Sequence, residues 1–481
     1  MSIGIKLIGL GTSPDELTAA ARRELEMAGG EVVLIGPLPP AYSTWPGAMQ
    51  LQQYEFADET QQDWEEVVAN RLLQMGIRSN GLVAALGGDP LASSIIAAAL
   101  QKKAEGIALS IQFFPAPGCI QACLALAGVH AADGIYQIHA GRLRERHHPP
   151  FSPDMHAFIH ALQGGETLEN VVRILRHQYP GSMRVSAFVL GDEGGFQRHE
   201  IALDALPSFA SSKPLHAILV PPMKRESSLE SFQETIAHLR ADDGCPWDRK
   251  QTHQTLRLHL LEETYEALDA LDREDLPGLA EELGDLLLQI VLHAQIATEH
   301  GSFRMADIVG GIQEKIIHRH PHVFGELDVK DSEEVLVNWE ALKQSERRLE
   351  GQEESLLNGV ARALPALAQA VEIQTRAARV GFEWREIEGV LEKIEEETGE
   401  LRKAASMEER SAEFGDLLFV MANYARWLDV EPETALREAC TRFRDRFGQL
   451  ERIVHERGKN LQDLTLEEMD AIWDEVKDSE D

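Results

Sequence analysis

The hydrophobic pattern of the chain changes once, near Pro222, and this change is the strongest constraint on the fold. Before that point, short apolar runs such as IKLIGLG (residues 5–11) alternate with helical stretches, whereas from Leu229 onward the pattern is helical almost throughout. Strands that alternate with helices favour a parallel or mixed sheet covered by helices. The sequence therefore predicts a multidomain chain, in which a two-lobed α/β domain is followed by an all-α region.

The predicted domain boundaries follow from the same change and from one polar segment. We expect the α/β domain over residues 1–222. The segment SERRLEGQEES (residues 345–355) is charged and lacks apolar anchors, so it is predicted to be a linker that divides the helical region. Two helical repeats are therefore predicted, over residues 229–344 and 356–481.

Charge and composition narrow the classes of function. Acidic residues outnumber basic ones 80 to 46, which gives a net charge of −34. Binding to a nucleic-acid backbone needs clustered Lys and Arg, so we expect no nucleic-acid polymer as a partner. Four cysteines form no disulfide framework, no apolar run approaches the ~20 residues of a membrane span, and the first residues do not form a secretory signal. We therefore expect a cytoplasmic protein that does not enter a membrane.

The helical region repeats charged motifs in the same order. An EExxE motif occurs twice, first with Glu262, Glu263 and Glu266 and then with Glu396, Glu397 and Glu400. An ExxD motif follows each, formed by Glu282 and Asp285 and then by Glu413 and Asp416. Basic and Trp–Lys pairs complete the order: Lys315 with Arg319 and Trp339 with Lys343, then Arg442 with Arg446 and Trp473 with Lys477. A duplication that served only the fold would preserve the apolar positions, so the repeated charged residues indicate a functional site. Both tryptophans could still be core residues.

Helix geometry predicts that the carboxylates of each half lie together. Residues three or four apart share a helix face, so the Glu and Asp of ExxD project together, as do the last two Glu of EExxE. Clustered carboxylates are costly to bury and raise one another's pKa. A hard divalent cation removes this conflict, and oxygen ligands select Mg²⁺ or Mn²⁺ over zinc. A lone EExxE would be an ordinary solvated helix face, but its repetition with the other motifs favours a metal site.

These motifs resemble those of the MazG nucleoside triphosphate pyrophosphohydrolases. Three further signatures occur in the family's order, GCPWD (residues 244–248), RHPHVFG (319–325) and VGFEW (380–384). Members of that family are all-α, Mg²⁺-dependent and usually dimeric, and they cleave nucleoside triphosphates to the monophosphate and pyrophosphate. The resemblance implies this activity, nucleoside triphosphates as partners and a homodimer as the assembly.

The resemblance also implies roles for individual residues. The metal ligands that it implies for this chain are Glu397, Glu400, Glu413 and Asp416. The residues around the nucleotide are Lys393, Arg442, Arg446, Trp473 and Lys477. Glu396 is the candidate for orienting or deprotonating the attacking water. A second candidate metal site in the first half consists of Glu263, Glu266, Glu282 and Asp285.

The two halves differ just before EExxE. Lys393 precedes Glu397 by four residues, whereas His259 occupies the same place before Glu263. A permanent cation binds phosphate better than an imidazole that is mostly neutral at pH 7. We therefore favour the second half as the active one, and the first half is either a weaker site or a structural partner.

Three glycine-containing segments of the first domain resemble the tetrapyrrole methylase family. They are GLGTSPDELT (residues 9–18), ALGGDPLASS (85–94) and PGCIQACLALAG (117–128). Members of that family bind S-adenosylmethionine between two α/β lobes, and glycine turns after strands allow a ligand to approach the backbone closely. The resemblance implies five cofactor-binding candidates, Gly9, Gly11, Gly88, Asp89 and Pro90.

The opening loop departs from that family's usual GxGPGD, because Thr12, Ser13 and Pro14 follow Gly11. The second loop matches, so S-adenosylmethionine stays a candidate cofactor beside Mg²⁺. The whole layout resembles the YabN-type bacterial fusions of a tetrapyrrole methylase-like domain to MazG. Two other functions stay open: an S-adenosylmethionine-dependent methyltransferase whose helical region serves for dimerisation, and a nucleotide-binding module whose active sites have decayed.

Overall fold

The structure, a computed structural model, describes residues 3–11, 16–29, 31–36, 42, 48–51, 61–79, 81–91, 96–105, 107, 109–162, 165–191, 195–332, 334–335, 338–339, 342, 356–358 and 360–479. The predicted linker, the loop residues Thr12, Ser13 and Pro14, and Lys343 lie outside these ranges. The chain divides into two compact units, Met1–Lys250 and Gln251–Asp481.

The first lobe of unit 1 is a parallel sheet with helices on both faces. Its strands are β1 (Ile3–Gly9), β2 (Val32–Ile35), β3 (Met49–Leu51), β4 (Leu82–Leu86) and β5 (Leu109–Phe114), in the order β3-β2-β4-β1-β5. Its helices are α1 (Ala19–Ala28), α2 (Gln61–Arg78) and α3 (Ile96–Ala104), whereas α4 (Cys119–Ala127), which follows β5 in the chain, packs on the sheet of the second lobe. Leu7 and Ile8 are both fully buried, in core clusters on opposite faces of the sheet. A strand buried on both faces reads as a continuous apolar run, which explains the pattern of IKLIGLG.

The second lobe of unit 1 is a mixed sheet. Its strands are β6 (Ile135–His139), β7 (His156–His160), β8 (Arg184–Leu190), β9 (Phe196–Ala202) and β10 (Leu215–Val220), in the order β6-β7-β10-β8-β9. Only β6 and β7 are parallel to each other among these pairs. Helices α5 (Gly165–Leu175), α6 (Leu206–Ala210) and α7 (Leu229–Arg240) follow along the chain. The prediction of a two-lobed α/β domain is confirmed.

Asp154 attaches the start of α7 to the second lobe. Its carboxylate accepts hydrogen bonds from the backbone N–H of Ser227 at 2.8 Å and of Ser228 at 3.0 Å, and from the Ser231 hydroxyl at 2.6 Å. Burial alone would raise the pKa of Asp154, but these hydrogen bonds outweigh it and lower the pKa to about 2. The anion also lies at the N-terminus of a helix, where negative charge is favoured.

We expect Asp154→Asn to destabilise the protein near neutral pH. A carboxyl group with a depressed pKa stabilises the fold above its unfolded pKa, near 3.9, and this stabilisation is lost as the pH falls toward 2. The expected loss in free energy of unfolding at pH 7 is about 1–2 kcal/mol, and a smaller loss is expected at pH 3. Urea denaturation at both pH values measures this difference, with the exposed Asp243→Asn as control. An equal loss at both pH values would contradict the role of the charge.

Unit 2 is helical throughout its described residues, as predicted. The first repeat contains α8 (Arg257–Asp272), α9 (Leu276–Glu299), α10 (Met305–Arg319) and α11 (Pro321–Phe324). The second contains α12 (Ala366–Arg379), α13 (Ile387–Lys403), α14 (Met407–Trp427), α15 (Pro432–Glu456) and α16 (Leu466–Asp478). Helices α8 and α9 form a hairpin through a short connection, and α13 and α14 do the same. No helix in the described parts of the chain is long and apolar enough to cross a membrane.

Candidate metal and nucleotide site

Local capping sets where each ExxD helix begins. Helix α9 begins after Asp275, whose side chain accepts a hydrogen bond from the Gly278 N–H at 3.1 Å. Helix α14 begins with a capping box, in which Ser406 and Glu409 accept from each other's backbone N–H at 3.1 Å. Such caps fix the first residue of a helix. Both ExxD motifs therefore start at the same distance from the beginning of their helices.

In the second repeat, three carboxylates converge. One oxygen each from Glu397, Glu413 and Asp416 lies within 4.8 Å of the other two. Glu397 is buried, with 4% of its surface exposed. Burial and the nearby charges of Glu400, Glu397 and Asp416 raise the pKa of Glu413, and a hydrogen bond with Glu400 adds to this shift. Crowded, oxygen-only donors of this kind fit a hard divalent cation.

Lys393 lies beside this cluster. Its Nζ is 2.7 Å from Oε1 of Glu397 and 3.1 Å from Oε1 of Glu396. Hydrogen bonds to Glu397 and Glu396 raise the pKa of Lys393, so the ammonium stays charged. Glu396 itself is exposed. The structure thus brings Lys393 and the candidate water-orienting residue together with the predicted metal ligands.

In the first repeat, a different set of carboxylates converges. Oxygens within 4.8 Å of one another come from Glu263, Glu266 and Glu282. This cluster takes two carboxylates from EExxE, whereas the second-repeat cluster takes one from EExxE and both from ExxD. Burial, then the charge of Asp285, then the neighbouring glutamates raise the pKa of Glu263. His259 Nδ1 lies 3.6 Å from the exposed Glu262.

The lengths of the EExxE helices explain this difference. Helix α8 continues for six residues after Glu266, whereas α13 ends three residues after Glu400, and the two connections that follow have equal lengths. The facing positions of the second hairpin are therefore shifted by almost one helical turn. As a result, Glu400 is not one of the three mutually close carboxylates of the second repeat, although it shares a hydrogen bond with Glu413. Asp285 is not one of the three in the first repeat, although its charge raises the pKa of Glu263.

Trp473, which is predicted to lie beside the nucleotide, contributes to the core. It packs on the cluster around Leu450, and its ring centroid lies 5.1 Å from that of Phe443. The corresponding Trp339 of the first repeat lies below the Arg319 guanidinium, whose carbon is 5.9 Å from the ring centroid. Packing thus accounts for part of the role of Trp473, and its placement beside the nucleotide stays a prediction.

Two of the cations predicted to surround the nucleotide form exposed ion pairs. Arg442 lies 3.6 Å from Glu438 on α15, and Lys477 lies 2.7 Å from Asp474 on α16. Arg446 is half-buried and close enough to Lys477 to influence its pKa. Exposed pairs of this kind contribute little to stability, so these cations can exchange their partners for phosphate oxygens. Their placement around a nucleotide stays a prediction.

Two residues for which no role was predicted form polar contacts with the second ExxD helix. Gln374 of α12 is buried and donates a hydrogen bond to the Phe419 carbonyl of α14 at 2.7 Å. Glu383, in the VGFEW motif, accepts from the Trp427 indole at 3.2 Å and pairs with Arg426. Glu383 could have been identified from the sequence, because an acidic residue between two aromatic residues indicates a carboxylate with a specific partner. The buried Gln374 had no such signal, because its partner is a backbone carbonyl.

The predicted cofactor residues of unit 1 lie where β1 and β4 end. Gly11 and Gly88 exchange backbone hydrogen bonds of 3.3 and 2.8 Å. A Cβ at Gly9 would lie 2.7 Å from the Gly88 carbonyl oxygen and 2.8 Å from Cδ of Pro90. Only glycine permits so close an approach between the two loops. The structure therefore brings these four residues together.

Asp89, the fifth candidate, joins the loops after β4 and β5. Its buried carboxylate accepts hydrogen bonds from the Leu91 N–H at 2.9 Å and from the Ala116 N–H at 3.1 Å. These bonds give Asp89 a structural role at the carboxyl edge of the sheet, where ligands bind in open α/β folds.

Both units match known families. Residues 4–191 match the family of Tetrapyrrole (Corrin/Porphyrin) Methylases, and residues 251–324 match the MazG nucleotide pyrophosphohydrolase domain. The second match lies on the first helical repeat. Among solved structures, the methyltransferase CobJ aligns with 47% of this chain and 96% of its own, at 18% identity and a TM-score of 0.34. The sequence matches define the class, a tetrapyrrole methylase domain followed by a MazG domain.

Relatives match longer stretches of the chain. "Uncharacterized protein YabN" of Bacillus subtilis is 34% identical over 440 residues, which are 89% of this chain and 88% of that protein. "Nucleoside triphosphate pyrophosphohydrolase/pyrophosphatase MazG" of Thermotoga maritima is 44% identical over 250 residues, 51% of this chain and 95% of that protein. "Nucleoside triphosphate pyrophosphohydrolase" of Escherichia coli K12 is 45% identical over 247 residues, 50% of this chain and 92% of that protein. The chain belongs to the MazG family, in the fusion with a tetrapyrrole methylase domain that YabN shares.

Proposed function

We propose that the helical unit hydrolyses nucleoside triphosphates to the monophosphate and pyrophosphate in a Mg²⁺-dependent reaction, and that the second repeat is the active one. The observation that carries this proposal is the convergence of Glu397, Glu413 and Asp416 within 4.8 Å, beside a lysine. The names of the Thermotoga maritima and Escherichia coli relatives support the reaction class.

The donor set suits Mg²⁺, because all its atoms are carboxylate oxygens and part of the cluster is open to substrate. The residues that would hold the ion are Glu397, Glu400, Glu413 and Asp416. When bound, Mg²⁺ offsets the negative charge of the triphosphate and makes water more acidic.

The chain's own residues supply positioning and charge, which account for most of the catalysis in phosphoryl transfer. Lys393 holds the buried Glu397 in place and presents a cation to the triphosphate. Glu396, exposed beside Lys393, orients or deprotonates the attacking water. The remaining contacts with the nucleotide come from Arg442, Arg446, Trp473 and Lys477.

Pyrophosphate release from a panel of ribo- and deoxyribonucleoside triphosphates tests this proposal. We expect monophosphate and pyrophosphate as products with Mg²⁺, and no release when the metal is chelated. The panel also identifies the preferred base and sugar. If the folded protein released no pyrophosphate from any of these nucleotides, with Mn²⁺ as well as with Mg²⁺, the proposal would be contradicted.

A homodimer is part of the proposal. Helices of unit 2 leave large apolar side chains exposed, including Leu283 at 52%, Ile312 at 55% and Phe443 at 58%. Faces of this kind usually become buried against another helix. Light scattering of the full chain measures its mass, and a monomer at micromolar concentration would contradict this assembly.

A second candidate function concerns unit 1. The close approach of Gly9 to Gly88 and the match to the methylase family favour S-adenosylmethionine binding between its lobes. In this alternative, the protein is a methyltransferase whose helical region serves for dimerisation. Calorimetric titration with S-adenosylmethionine tests it, and absence of binding would overturn it. A decayed nucleotide-binding module is disfavoured, because both repeats retain all their carboxylates.

A further inference from the structure

An ion pair joins the two helical repeats. The guanidinium of Arg437, on α15, donates to the carboxylate of Asp272, on α8, through Nε at 2.6 Å and through Nη2 at 3.4 Å. Each of the two side chains is only 25% exposed. Nη2 of Arg437 also donates to the Thr434 hydroxyl at 3.1 Å, which holds the guanidinium on its own helix. Two hydrogen bonds and partial burial distinguish this pair from an ordinary surface ion pair.

The stability of α8 alone does not explain the charge of Asp272. This residue is the last of its helix, where the helix dipole favours cations and opposes a carboxylate. The ion pair with Arg437 offsets that local cost, although the two residues lie 165 positions apart in the chain. The carboxylate is therefore explained by the contact between the repeats.

The part of α8 that carries Asp272 has no counterpart in the second repeat. After their EExxE motifs, α8 continues for six residues and α13 for only three. When the two motifs are aligned, Asp272 corresponds to Ser406, which is the cap of α14 and lies outside α13. The first repeat thus has almost one extra helical turn, residues 270–272, and the end of this extra turn contacts the second repeat.

Helix α15 presents its arginines on different sides. With 3.6 residues per turn, Arg442 lies about 140° and Arg446 about 180° around the helix from Arg437. Arg437 therefore faces the first repeat, whereas the two arginines that are predicted to contact the nucleotide lie on the other side of the same helix. A shift of α15 after loss of the ion pair would move both of these cations.

We propose that the first repeat positions α15 of the second repeat, because the extra turn of α8 holds this helix through Asp272 and Arg437. Both are positioning residues, which act on the nucleotide through Arg442 and Arg446. The inference rests on the proposed function, since it takes the second repeat as the active one. It gives the first repeat a role in hydrolysis that does not depend on its own carboxylates.

Steady-state kinetics of the full-length protein test this proposal. We expect Asp272→Asn to raise KM for a nucleoside triphosphate about fivefold, at the lower end of the usual coupling between two sites, and to leave kcat nearly unchanged. Asp269→Asn is the matched control, because Asp269 pairs with Arg273 near the end of the same helix, and we expect it to keep the wild-type KM. The reversed pair, Asp272→Arg with Arg437→Asp, is expected to recover most of the affinity that Asp272→Arg alone loses.

Hydrogen exchange of the nucleotide-free protein gives a second readout, which does not depend on hydrolysis. Amides near the start of α15 (residues 436–441) are expected to exchange faster in Asp272→Asn than in the wild type, because the contact that protects them is weakened. The reversed pair is expected to restore their protection. Should Asp272→Arg fail to fold, Arg437→Gln breaks the same ion pair without introducing a like charge, and we expect it to show the same faster exchange.

The two readouts separate this proposal from the proposed function. Wild-type exchange of α15 in Asp272→Asn would overturn the contact between the repeats, and an unchanged KM in this variant would overturn its positioning role. If the wild type hydrolysed no nucleotide and Asp272→Asn still exchanged faster in α15, the proposed function would be contradicted and the contact would stand.

Discussion

Glu413→Gln is expected to lower kcat/KM for nucleoside triphosphate hydrolysis by roughly a thousandfold. The substitution keeps the size of the side chain and removes one of the charges that would hold the catalytic cation. A bound metal supplies several kcal/mol of transition-state stabilisation, and each 1.4 kcal/mol is tenfold in rate. Asp416→Asn is expected to act in the same direction, because its carboxylate belongs to the same group of three. Pyrophosphate release under saturating Mg²⁺ measures both effects.

Glu408→Gln is the matched control, since it makes the same chemical change on an exposed residue in the first turn of α14. We expect it to keep the wild-type rate. The hydrolysis rate of Glu282→Gln, compared with that of Glu413→Gln, shows which repeat is active. If this first-repeat variant lost hydrolysis and Glu413→Gln kept it, the assignment of the active half would be wrong.

Lys393→Met is expected to lower kcat/KM about tenfold to a hundredfold. The buried Glu397 would lose the ammonium 2.7 Å away, and the triphosphate would lose a charged partner. Losing a charge-assisted hydrogen bond to a buried carboxylate, together with a charged contact to the substrate, accounts for a loss in this range. Steady-state kinetics should show the change mainly in KM if the cation contacts the substrate before the reaction.

Two further substitutions isolate the charge of Lys393. Lys403→Met removes an exposed lysine at the end of the same helix and is expected to leave the kinetics unchanged. Lys393→His copies the first repeat. Because an imidazole is protonated mainly below a pH of about 6.5, its activity relative to the wild type should rise as the pH falls toward 6. Wild-type kinetics in Lys393→Met would contradict any role of this cation.

The sequence predicted the architecture well because its apolar patterns are local. Buried strands such as β1 read as continuous apolar runs, and the helical unit keeps its periodicity over its whole described length. The attachment of α7 to unit 1 could not be predicted in this way. It depends on Asp154, which lies more than seventy residues before Ser228 in the chain, and nothing in the local pattern of either segment marks the other as its partner.

The carboxylate site was predicted in outline and not in detail. Motif spacing placed the five carboxylates of each half on two neighbouring helices. It did not indicate which three would converge, because that depends on where α8 and α13 end, at Asp272 and Lys403. The packing of Trp473 on Leu450 could not be predicted either, because no local sequence pattern connects these two residues.

The unequal hairpins also bear on how duplicated enzymes diverge. If α8 replaced α13, every letter of the EExxE motif would be conserved, yet its glutamates would move by about 4.5 Å along the helix axis, at a rise of 1.5 Å per residue. An alignment that scores only motif letters would report the two halves as equivalent. A difference of three residues in the length of one helix thus changes which ligands of a duplicated site lie close together, while every ligand residue stays in the chain.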